Sequence, residues 1–308
     1  MSRIHEALRR AEQMGGLAKP SPAGGVSSEA AEGFASAPTG NFLDRLEEVP
    51  FQPAPEALLV DLSRPQEAPA EEFRSLRTKL NHLQGLQPLH TLVITSPSPA
   101  EGKSFVAANL ALVQAQLSGN KTLLADFDFR RPVMHNLFQI PRSPGITDYL
   151  LGTAPLEAVI KRLAGLDLYV MPAGTSVKNP LELLNLRQVR VLLHDLPKFF
   201  NWVIIDSPPL LFSADANLIG TLTDGTILVV RIGQTTIDMV TRAMQSLCEN
   251  HVLGVVVNGA RAGELYSKYT YYYSSYHDHQ HEEQEAPEAE ASLAPAPQQQ
   301  LAKPSGQS

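Results

Sequence analysis

The sequence predicts a doubly wound α/β fold with a mostly parallel β-sheet. Short runs rich in leucine and β-branched residues alternate along the chain with segments of helical periodicity. These runs are almost continuously apolar, which is typical of strands buried on both faces. In addition, 43% of the 308 residues are apolar, which is enough for a sizeable core. We therefore expect one domain between residues 70 and 262, with helices on both faces of its sheet.

The first element of this domain is predicted to be an amphipathic helix that begins at Glu71. In EEFRSLRTKLNHL, four apolar residues share one helical face while the charged residues point away from it. The apolar residues are Phe73, Leu76, Leu80 and Leu83. We expect this face to pack on the core and the charged stripe to face outward.

Strands and helices then alternate along the chain. The predicted strands are residues 91–95, 122–126, 166–172, 202–206, 226–232 and 252–258. The predicted helices are residues 104–117, a helix opened by Asn179 and Pro180, and a helix near 237–249. Because consecutive strands are separated by helices, the order favours parallel crossover connections.

Extensions flank the domain on both sides. Residues 1–14 have the spacing of a short amphipathic helix, either a frayed terminal helix or a docking helix for a partner. Residues 15–69 are rich in Gly, Pro, Ala and Ser, which predicts a linker with some docked segments. Residues 277–308 are acidic and rich in Gln and Pro, and are predicted to be a disordered tail that holds most of the net charge of −7.

Six of the eight tyrosines fall within eleven residues, in the segment 263–276 between the last predicted strand and the tail. They are Tyr266, Tyr269, Tyr271, Tyr272, Tyr273 and Tyr276. No helical or strand period in this segment would bury six rings. The cluster is therefore either a substrate for modification or a low-complexity aromatic segment that mediates contacts.

A phosphate-binding loop is predicted at residues 95–104, TSPSPAEGKS. A strand, a loop and then Gly-Lys-Ser at the start of a helix are the context of a P-loop, whose N–H groups face phosphates. In that context Lys103 reaches the β- and γ-phosphates of ATP, and the Ser104 hydroxyl ligates Mg²⁺. The residues predicted to bind the nucleotide in this loop are Ala100, Glu101, Gly102, Lys103, Ser104 and Phe105.

The loop departs from the usual P-loop pattern. Pro97 stands where the pattern has its first glycine, and Ser98, Pro99 and Ala100 leave the loop poor in glycine. Proline lacks an N–H donor and restricts the residue before it. We therefore expect weaker binding of phosphates than in a glycine-rich loop.

Three carboxylates end buried strands. Asp126 and Asp128 are two residues apart in an extended segment, so both leave the same face near the carboxyl edge of the sheet. Asp206 ends the apolar run WVIID, in the arrangement of a Walker B aspartate that holds Mg²⁺. An aspartate at a strand end can also be an ordinary cap or turn residue. The three together, beside Gly-Lys-Ser, favour a nucleotide site.

The combination of AEGKS, DFDFRRP and DSPP with a tyrosine-rich end resembles the bacterial tyrosine kinases (BY-kinases) of capsule and exopolysaccharide export. The first dozen residues are similar to the exosortase-associated tyrosine autokinases of that family. The resemblance covers about residues 70–276 and implies a P-loop NTPase fold of the SIMIBI class, which ParA and MinD share. It also implies that ATP and Mg²⁺ are the cofactors.

The resemblance further implies a role for each site residue. Asp128 would be the base that takes the proton of a tail tyrosine from a neighbouring subunit, and Asp126 and Asp206 would support Mg²⁺. Lys103 and the helix dipole would stabilise the transferred phosphoryl group. Asn258 matches an adenine-contacting asparagine of related folds, with a strand-end turn as the alternative.

The partners follow from the same resemblance. Glu71, Arg74 and Arg77 match the ExxRxxR spacing that packs these kinases into a ring, although a solvated charged stripe has the same pattern. A membrane polysaccharide co-polymerase is the expected activator, and a tyrosine phosphatase is a further expected partner; nucleic acid is not. No apolar stretch is long enough to cross a bilayer, so we expect a cytoplasmic protein recruited to the inner face of the plasma membrane.

Two other functions remain open at the level of the sequence. The first is a positioning ATPase of the ParA/MinD type, which carries a signature lysine where this chain has Ser98. The second is a catalytically weak or inactive scaffold, which the altered phosphate loop favours.

Overall fold

The computed structural model describes residues 42–53, 58–61, 69–247 and 252–260. The predicted N-terminal helix, most of the linker, the tyrosine cluster and the acidic tail lie outside these residues. The chain divides into two units at residues 44 and 45, and every strand and α-helix given below belongs to the second unit. A 3₁₀ helix covers Phe42–Arg45, and a second one covers Leu196–Lys198.

The centre of the described part is an eight-stranded sheet in the order β1-β4-β5-β3-β6-β2-β7-β8. The strands are β1 (Glu47–Val49), β2 (Thr91–Thr95), β3 (Thr122–Asp126), β4 (Lys161–Leu163), β5 (Leu168–Met171), β6 (Trp202–Asp206), β7 (Gly225–Arg231) and β8 (Val252–Asn258). All neighbours pair in parallel except β4 and β5. The predicted α/β class with a mostly parallel sheet is therefore confirmed.

Helices connect the strands. They are α1 (Ala70–Leu86), α2 (Lys103–Ala115), α3 (Met134–Leu137), α4 (Ile146–Leu150), α5 (Leu156–Val159), α6 (Pro180–Leu184), α7 (Arg187–Asp195), α8 (Asp215–Gly220) and α9 (Ile237–Ser246). Among the described residues, no helix is both long enough and apolar enough to cross a bilayer.

Burial explains the sequence pattern of the central elements. All five residues of β2, β3 and β6 are buried, so these strands are continuously apolar instead of alternating. Helix α2 is buried at every residue from Val106 to Ala115 because the sheet lies on one side of it and α1 packs on another. The rings of Phe73 in α1 and Phe105 in α2 meet edge to face, with centroids 5.8 Å apart.

Two strands correct the predicted organisation. β1 lies within residues 15–69, which were predicted as a linker, and pairs in parallel with β4, which was not predicted at all. Each strand has three residues, EEV and KRL, and side chains from the two strands form ion pairs, Lys161 with Glu47 and Arg162 with Glu48. Short charged strands at a sheet edge carry no apolar run that a sequence pattern could detect.

The strand order positions the site. β2 lies between β6 and β7, and β3 lies between β5 and β6. The carboxyl ends of β2, β3 and β6 are therefore neighbours, although they are far apart in the sequence. In a parallel α/β sheet this edge is where ligands bind.

Candidate active site

The phosphate loop joins the end of β2 to the start of α2, as predicted. Gly102 has a φ of 97° and lies against the end of β8, where a Cβ atom would stand 2.0 Å from Asn258 Nδ2. Only glycine fits this approach. Ala100 has a φ of 64°, a left-handed conformation that is unfavourable for alanine. The loop thus adopts a glycine-type path with alanine at one of its positions.

Lys103, the first residue of α2, contacts the carboxylates of two strands. Its Nζ lies 2.8 Å from Asp128 Oδ2 and 3.7 Å from Asp206 Oδ1. Burial acts to lower the pKa of Lys103, but the carboxylates of Asp206, Asp128 and Asp126 outweigh it and raise the pKa. Lys103 is therefore a cation that joins the three predicted acidic residues.

Asp206 is fully buried, and neither of its carboxylate oxygens accepts a hydrogen bond of normal geometry. Burial raises its pKa, and the charge of Lys103 opposes the rise. A buried carboxylate with free lone pairs is costly unless a cation ligates it. The side chain therefore fits the predicted Mg²⁺ ligand, together with Ser104, the second residue of α2.

Asp126 is also fully buried, but its oxygens are occupied. Oδ2 accepts the N–H groups of Val133 and Met134, both at 3.0 Å, and Oδ1 accepts that of Asp128 at 3.2 Å. Burial and the neighbouring Asp206 raise its pKa, although the backbone N–H of Met134 acts against the rise. Asp126 thus holds the segment that follows β3, and its role in binding Mg²⁺ stays a prediction.

Asp128 is nearly buried and accepts hydrogen bonds from Lys103 Nζ and from the Arg131 N–H, the latter at 3.0 Å. The salt bridge to Lys103 holds its carboxylate at the start of α2. Its role as the base stays a prediction.

Sequence reasoning missed an ion pair beside this cluster. Arg130 Nε and Nη2 donate to Asp215 Oδ2 and Oδ1 at 2.7 and 3.2 Å, and Asp215 is buried at the start of α8. This bidentate pair ties the segment after β3 to the segment after β6. The Arg-Arg-Pro that follows Asp128 was a visible signal, but nothing in the sequence indicated its partner.

Two predicted nucleotide contacts have other partners in this structure. Asn258 Nδ2 donates to the Glu101 carbonyl at 2.9 Å, so its side chain holds the phosphate loop. The Phe105 ring packs on Phe73, so only its backbone could face a phosphate. Contact of either residue with a nucleotide stays a prediction.

The three residues predicted to pack a ring lie along α1. Arg74 Nη1 lies 3.8 Å from the exposed Glu71 of the same helix. Arg77 Nη1 donates to the Val113 carbonyl of α2 at 2.7 Å, and burial, with a smaller effect of Arg74, lowers its pKa. Arg77 therefore connects two helices of one chain, and ring packing stays a prediction. The six clustered tyrosines lie outside the described residues.

The fold and the site together define a P-loop protein that binds nucleotide phosphates. The curated tyrosine-protein kinase YwqD of Bacillus subtilis is 33% identical over 216 residues, which cover 70% of this chain and 90% of YwqD. The tyrosine-protein kinase Etk of Escherichia coli K12 is 35% identical over 227 residues, 72% of this chain and 30% of Etk. No protein-family model matches the chain.

A solved structure, the kinase domain of E. coli Etk, matches with a TM-score of 0.62 and 34% identity, and covers 66% of this chain and 80% of that domain. The chain belongs to the family of bacterial tyrosine-protein kinases. The predicted enzyme class is therefore confirmed. The hypothesis of a ParA/MinD-type positioning ATPase is set aside, because both relatives are named tyrosine kinases.

Proposed function

We propose that this protein is an ATP-dependent autokinase that phosphorylates the tyrosines of its own segment 263–276 in a neighbouring subunit. The observation that carries the proposal is the convergence of Lys103, Asp128 and Asp206 at the N-terminus of α2. The amino group of Lys103 lies within 4 Å of both carboxylates. A cation, a base candidate and a metal ligand candidate are thus placed together beside a phosphate loop.

The N–H groups at the start of α2 and the amino group of Lys103 would bind the β- and γ-phosphates of ATP. Asp206 and Ser104 would hold Mg²⁺, which supplies neutralisation of the charge on the phosphate oxygens. The free lone pairs of Asp206 support this assignment. Phosphoryl transfer depends mainly on positioning and on such charge stabilisation.

A tyrosine hydroxyl needs a base, because its pKa is about 10 and little phenolate exists at neutral pH. Asp128 would take the phenolic proton as the tyrosine oxygen bonds to the γ-phosphorus. The bond between this phosphorus and the bridging oxygen breaks, and ADP leaves with the electron pair. The products are phosphotyrosine, ADP and a proton on Asp128.

The salt bridge between Lys103 and Asp128 supports an order of events in which ATP binds before Asp128 is free to act as the base. With Lys103 on Asp128, the salt bridge occupies one oxygen of the carboxylate at 2.8 Å. When Lys103 turns to the phosphates of ATP, Asp128 loses its cation and becomes available. Binding of ATP would therefore also activate the base.

Mapping phosphate on the purified full chain after incubation with ATP and Mg²⁺ tests the proposal. We expect phosphotyrosine between Tyr266 and Tyr276 in the unmodified protein, and at least a hundredfold less in Lys103→Met. Lys79→Met, a change on the exposed face of α1, is the control and should match the unmodified protein. Phosphotyrosine that is absent from this segment, or undiminished in Lys103→Met, contradicts the proposal and favours a scaffold.

We further propose that the kinase acts at the inner face of the plasma membrane, where a membrane polysaccharide co-polymerase activates it. The support is the family to which the chain belongs. Adding the cytoplasmic segment of such a co-polymerase should raise the rate of autophosphorylation. An unchanged rate at saturating co-polymerase segment contradicts the proposal.

A further inference from the structure

The phosphate loop of this chain has few N–H groups left for a ligand. Pro97 and Pro99 have none, and the Ser98 N–H donates at 2.9 Å to Glu101 Oε2 within the loop. The loop also holds Ala100 in a left-handed conformation, which alanine does not adopt by preference. Contacts from outside the loop must therefore help to keep this path.

Those contacts come from the turn that follows β7. Arg231 Nη1 donates to the Ala100 carbonyl at 3.1 Å, and the Thr235 hydroxyl donates to Glu101 Oε1 at 2.5 Å. The same hydroxyl accepts the Arg231 N–H at 2.8 Å. The Thr235 hydroxyl thus uses its one proton for Glu101 and one lone pair for the Arg231 N–H, and no other orientation of the hydroxyl satisfies both residues.

The result is a continuous chain of hydrogen bonds from the end of β7 to the phosphate loop. It runs from the Arg231 N–H through the Thr235 hydroxyl and the Glu101 carboxylate to the Ser98 N–H. Glu101 is only 2% exposed, so the hydrogen bonds from the Thr235 hydroxyl and the Ser98 N–H replace the contacts with water that its carboxylate has lost. A change at Thr235 therefore reaches Ser98, although the two residues are far apart in the sequence.

We propose that Thr235 is a positioning residue for the phosphate loop: through Glu101 it fixes Ser98 and Ala100 in the conformation that binds ATP. The role rests on the proposed function, because the ligand of the loop is ATP. Thr235 does not touch the reacting atoms in this role. In a glycine-rich P-loop, the glycines adopt the conformation of the loop without strain. In this chain, the hydrogen bonds of Thr235 hold the loop in that conformation instead.

Three variants of the full chain test the proposal. Thr235→Val keeps the shape of the side chain but removes the hydroxyl, and Thr235→Ser keeps the hydroxyl. Thr241→Val is the matched control: Thr241 lines the same shallow cavity beside β7, but its hydroxyl donates within α9 to the Ile237 carbonyl at 2.9 Å. Thermal unfolding of each variant shows whether it is folded.

The first readout is hydrogen exchange of residues 96–102 without nucleotide. We expect exchange of the loop amides to become about tenfold faster in Thr235→Val, the size expected for losing one hydrogen bond to a charged group. Thr235→Ser and Thr241→Val should match the unmodified protein. Unchanged exchange in Thr235→Val, or equal acceleration in Thr235→Ser, overturns the proposal.

The second readout is the kinetics of tail phosphorylation. We expect KM for ATP to rise about tenfold in Thr235→Val while kcat changes less than twofold, because the lost contact positions the loop and does not act on the transferred group. An equal fall of kcat in all three variants indicates a general loss of structure and contradicts the proposal. If the unmodified protein binds no ATP, the proposed function fails, and loop exchange alone decides on the role of Thr235.

Discussion

Asp206 shows how a single residue can serve a ligand at the expense of the fold. Its carboxylate is fully buried, has no hydrogen-bond donor of normal geometry and lies 3.7 Å from the amino group of Lys103. Burial raises its pKa, so the ionised form is less stable in the folded protein than in the unfolded chain. Such a carboxylate is retained for what it binds.

We therefore expect Asp206→Asn to increase the free energy of unfolding by about 1–3 kcal/mol in the absence of Mg²⁺, while tail phosphorylation is lost. The gain should depend on pH. In the unmodified protein, Asp206 lowers the stability of the folded state as pH rises from the unfolded pKa of about 3.9 through its raised folded pKa. The reason is that the folded protein keeps the proton of Asp206 to a higher pH than the unfolded chain does. Urea unfolding at pH 4.5 and pH 8 should show the larger gain at pH 8; a gain that does not depend on pH contradicts the assignment.

Asp148, on α4, illustrates the opposite case. Its Oδ2 accepts hydrogen bonds from Ser143 Oγ, Gly145 N and Thr175 N at 3.0, 2.8 and 3.2 Å. Burial acts to raise its pKa, but these hydrogen bonds outweigh burial and lower it. The carboxylate therefore stabilises the folded state when it is ionised, and this contribution is lost as pH falls.

We expect Asp148→Asn to reduce the free energy of unfolding by about 2 kcal/mol at pH 7, because three donors would then face a neutral amide oxygen in place of a charged carboxylate. The difference from the unmodified protein should shrink below the unfolded pKa of about 3.9, as the aspartate itself becomes protonated. Denaturant unfolding between pH 3 and pH 7 measures it. Asp238→Asn, in an exposed ion pair on α9, is the control and should change stability little at any pH.

At the scale of elements, α1 combines a packing face with the residues that are predicted to join subunits. Phe73 packs on α2, and Arg77 donates to a carbonyl of α2, whereas Arg74 forms an ion pair with Glu71 of its own helix. The three residues of the ExxRxxR pattern are therefore not equivalent. Arg77 stabilises the fold of a single chain, because its hydrogen bond joins two helices of that chain.

This difference can be measured. Arg77→Ala should reduce the free energy of unfolding by about 1–2 kcal/mol, because it removes a partly buried hydrogen bond, whereas Arg74→Ala should change it by less than about 0.5 kcal/mol. Both should reduce the mass of the oligomer if the ring forms through α1. Urea unfolding of dilute protein measures the change in stability, and light scattering measures the change in the mass of the oligomer. Equal losses of stability in both variants contradict the distinction.

The sequence was most informative where elements are buried on both sides. β2, β3 and β6, which are buried throughout, have the predicted bounds, since a continuous apolar run is visible without knowledge of its neighbours. β8 also has its predicted bounds, because its sequence is an apolar run although the strand is only partly buried. β1 and β4 were missed because each has only three residues, two of them charged, and such a segment forms a strand only by pairing with a neighbouring strand. The short helices α3, α4 and α5 were missed because four or five residues are too few for a helical period.

The same limit applies to the site. Lys103, Asp126, Asp128 and Asp206 could be predicted as site candidates because each lies at the end of a visible strand or helix or just beyond it. Arg130 with Asp215, and Thr235 with Glu101, were not found as pairs, because their contacts depend on strand order and on side-chain direction. Local patterns identify which residues carry chemistry, whereas the residues that position them become visible only in three dimensions.

At the scale of the whole molecule, the kinase and its proposed substrate are parts of one chain. The described residues end at residue 260, directly after β8, and the first tyrosine of the cluster follows six residues later. Each added phosphate carries a charge of about −1.5 to −2 at neutral pH. Several phosphates would place a large negative charge on a segment that must enter a site rich in carboxylates.

We therefore expect phosphorylation to expel the segment from neighbouring sites and to loosen the ring. The mass of the oligomer, measured by light scattering, should fall after incubation with ATP and Mg²⁺, and a phosphatase should restore it. A variant in which phenylalanine replaces the six clustered tyrosines is the control and should keep its mass. An identical mass of the unmodified protein before and after phosphorylation contradicts this expectation.

The strand order has a consequence for protein synthesis. β6, which carries Asp206, inserts between β2 and β3, and Asp206 leaves the ribosome more than a hundred residues after Lys103. Until then the centre of the sheet is missing, and the phosphate loop lacks Asp206, its buried candidate metal ligand. The tyrosine segment is translated later still. Under the proposed function, a nascent chain therefore cannot transfer phosphate before β6 has been translated and has inserted into the sheet.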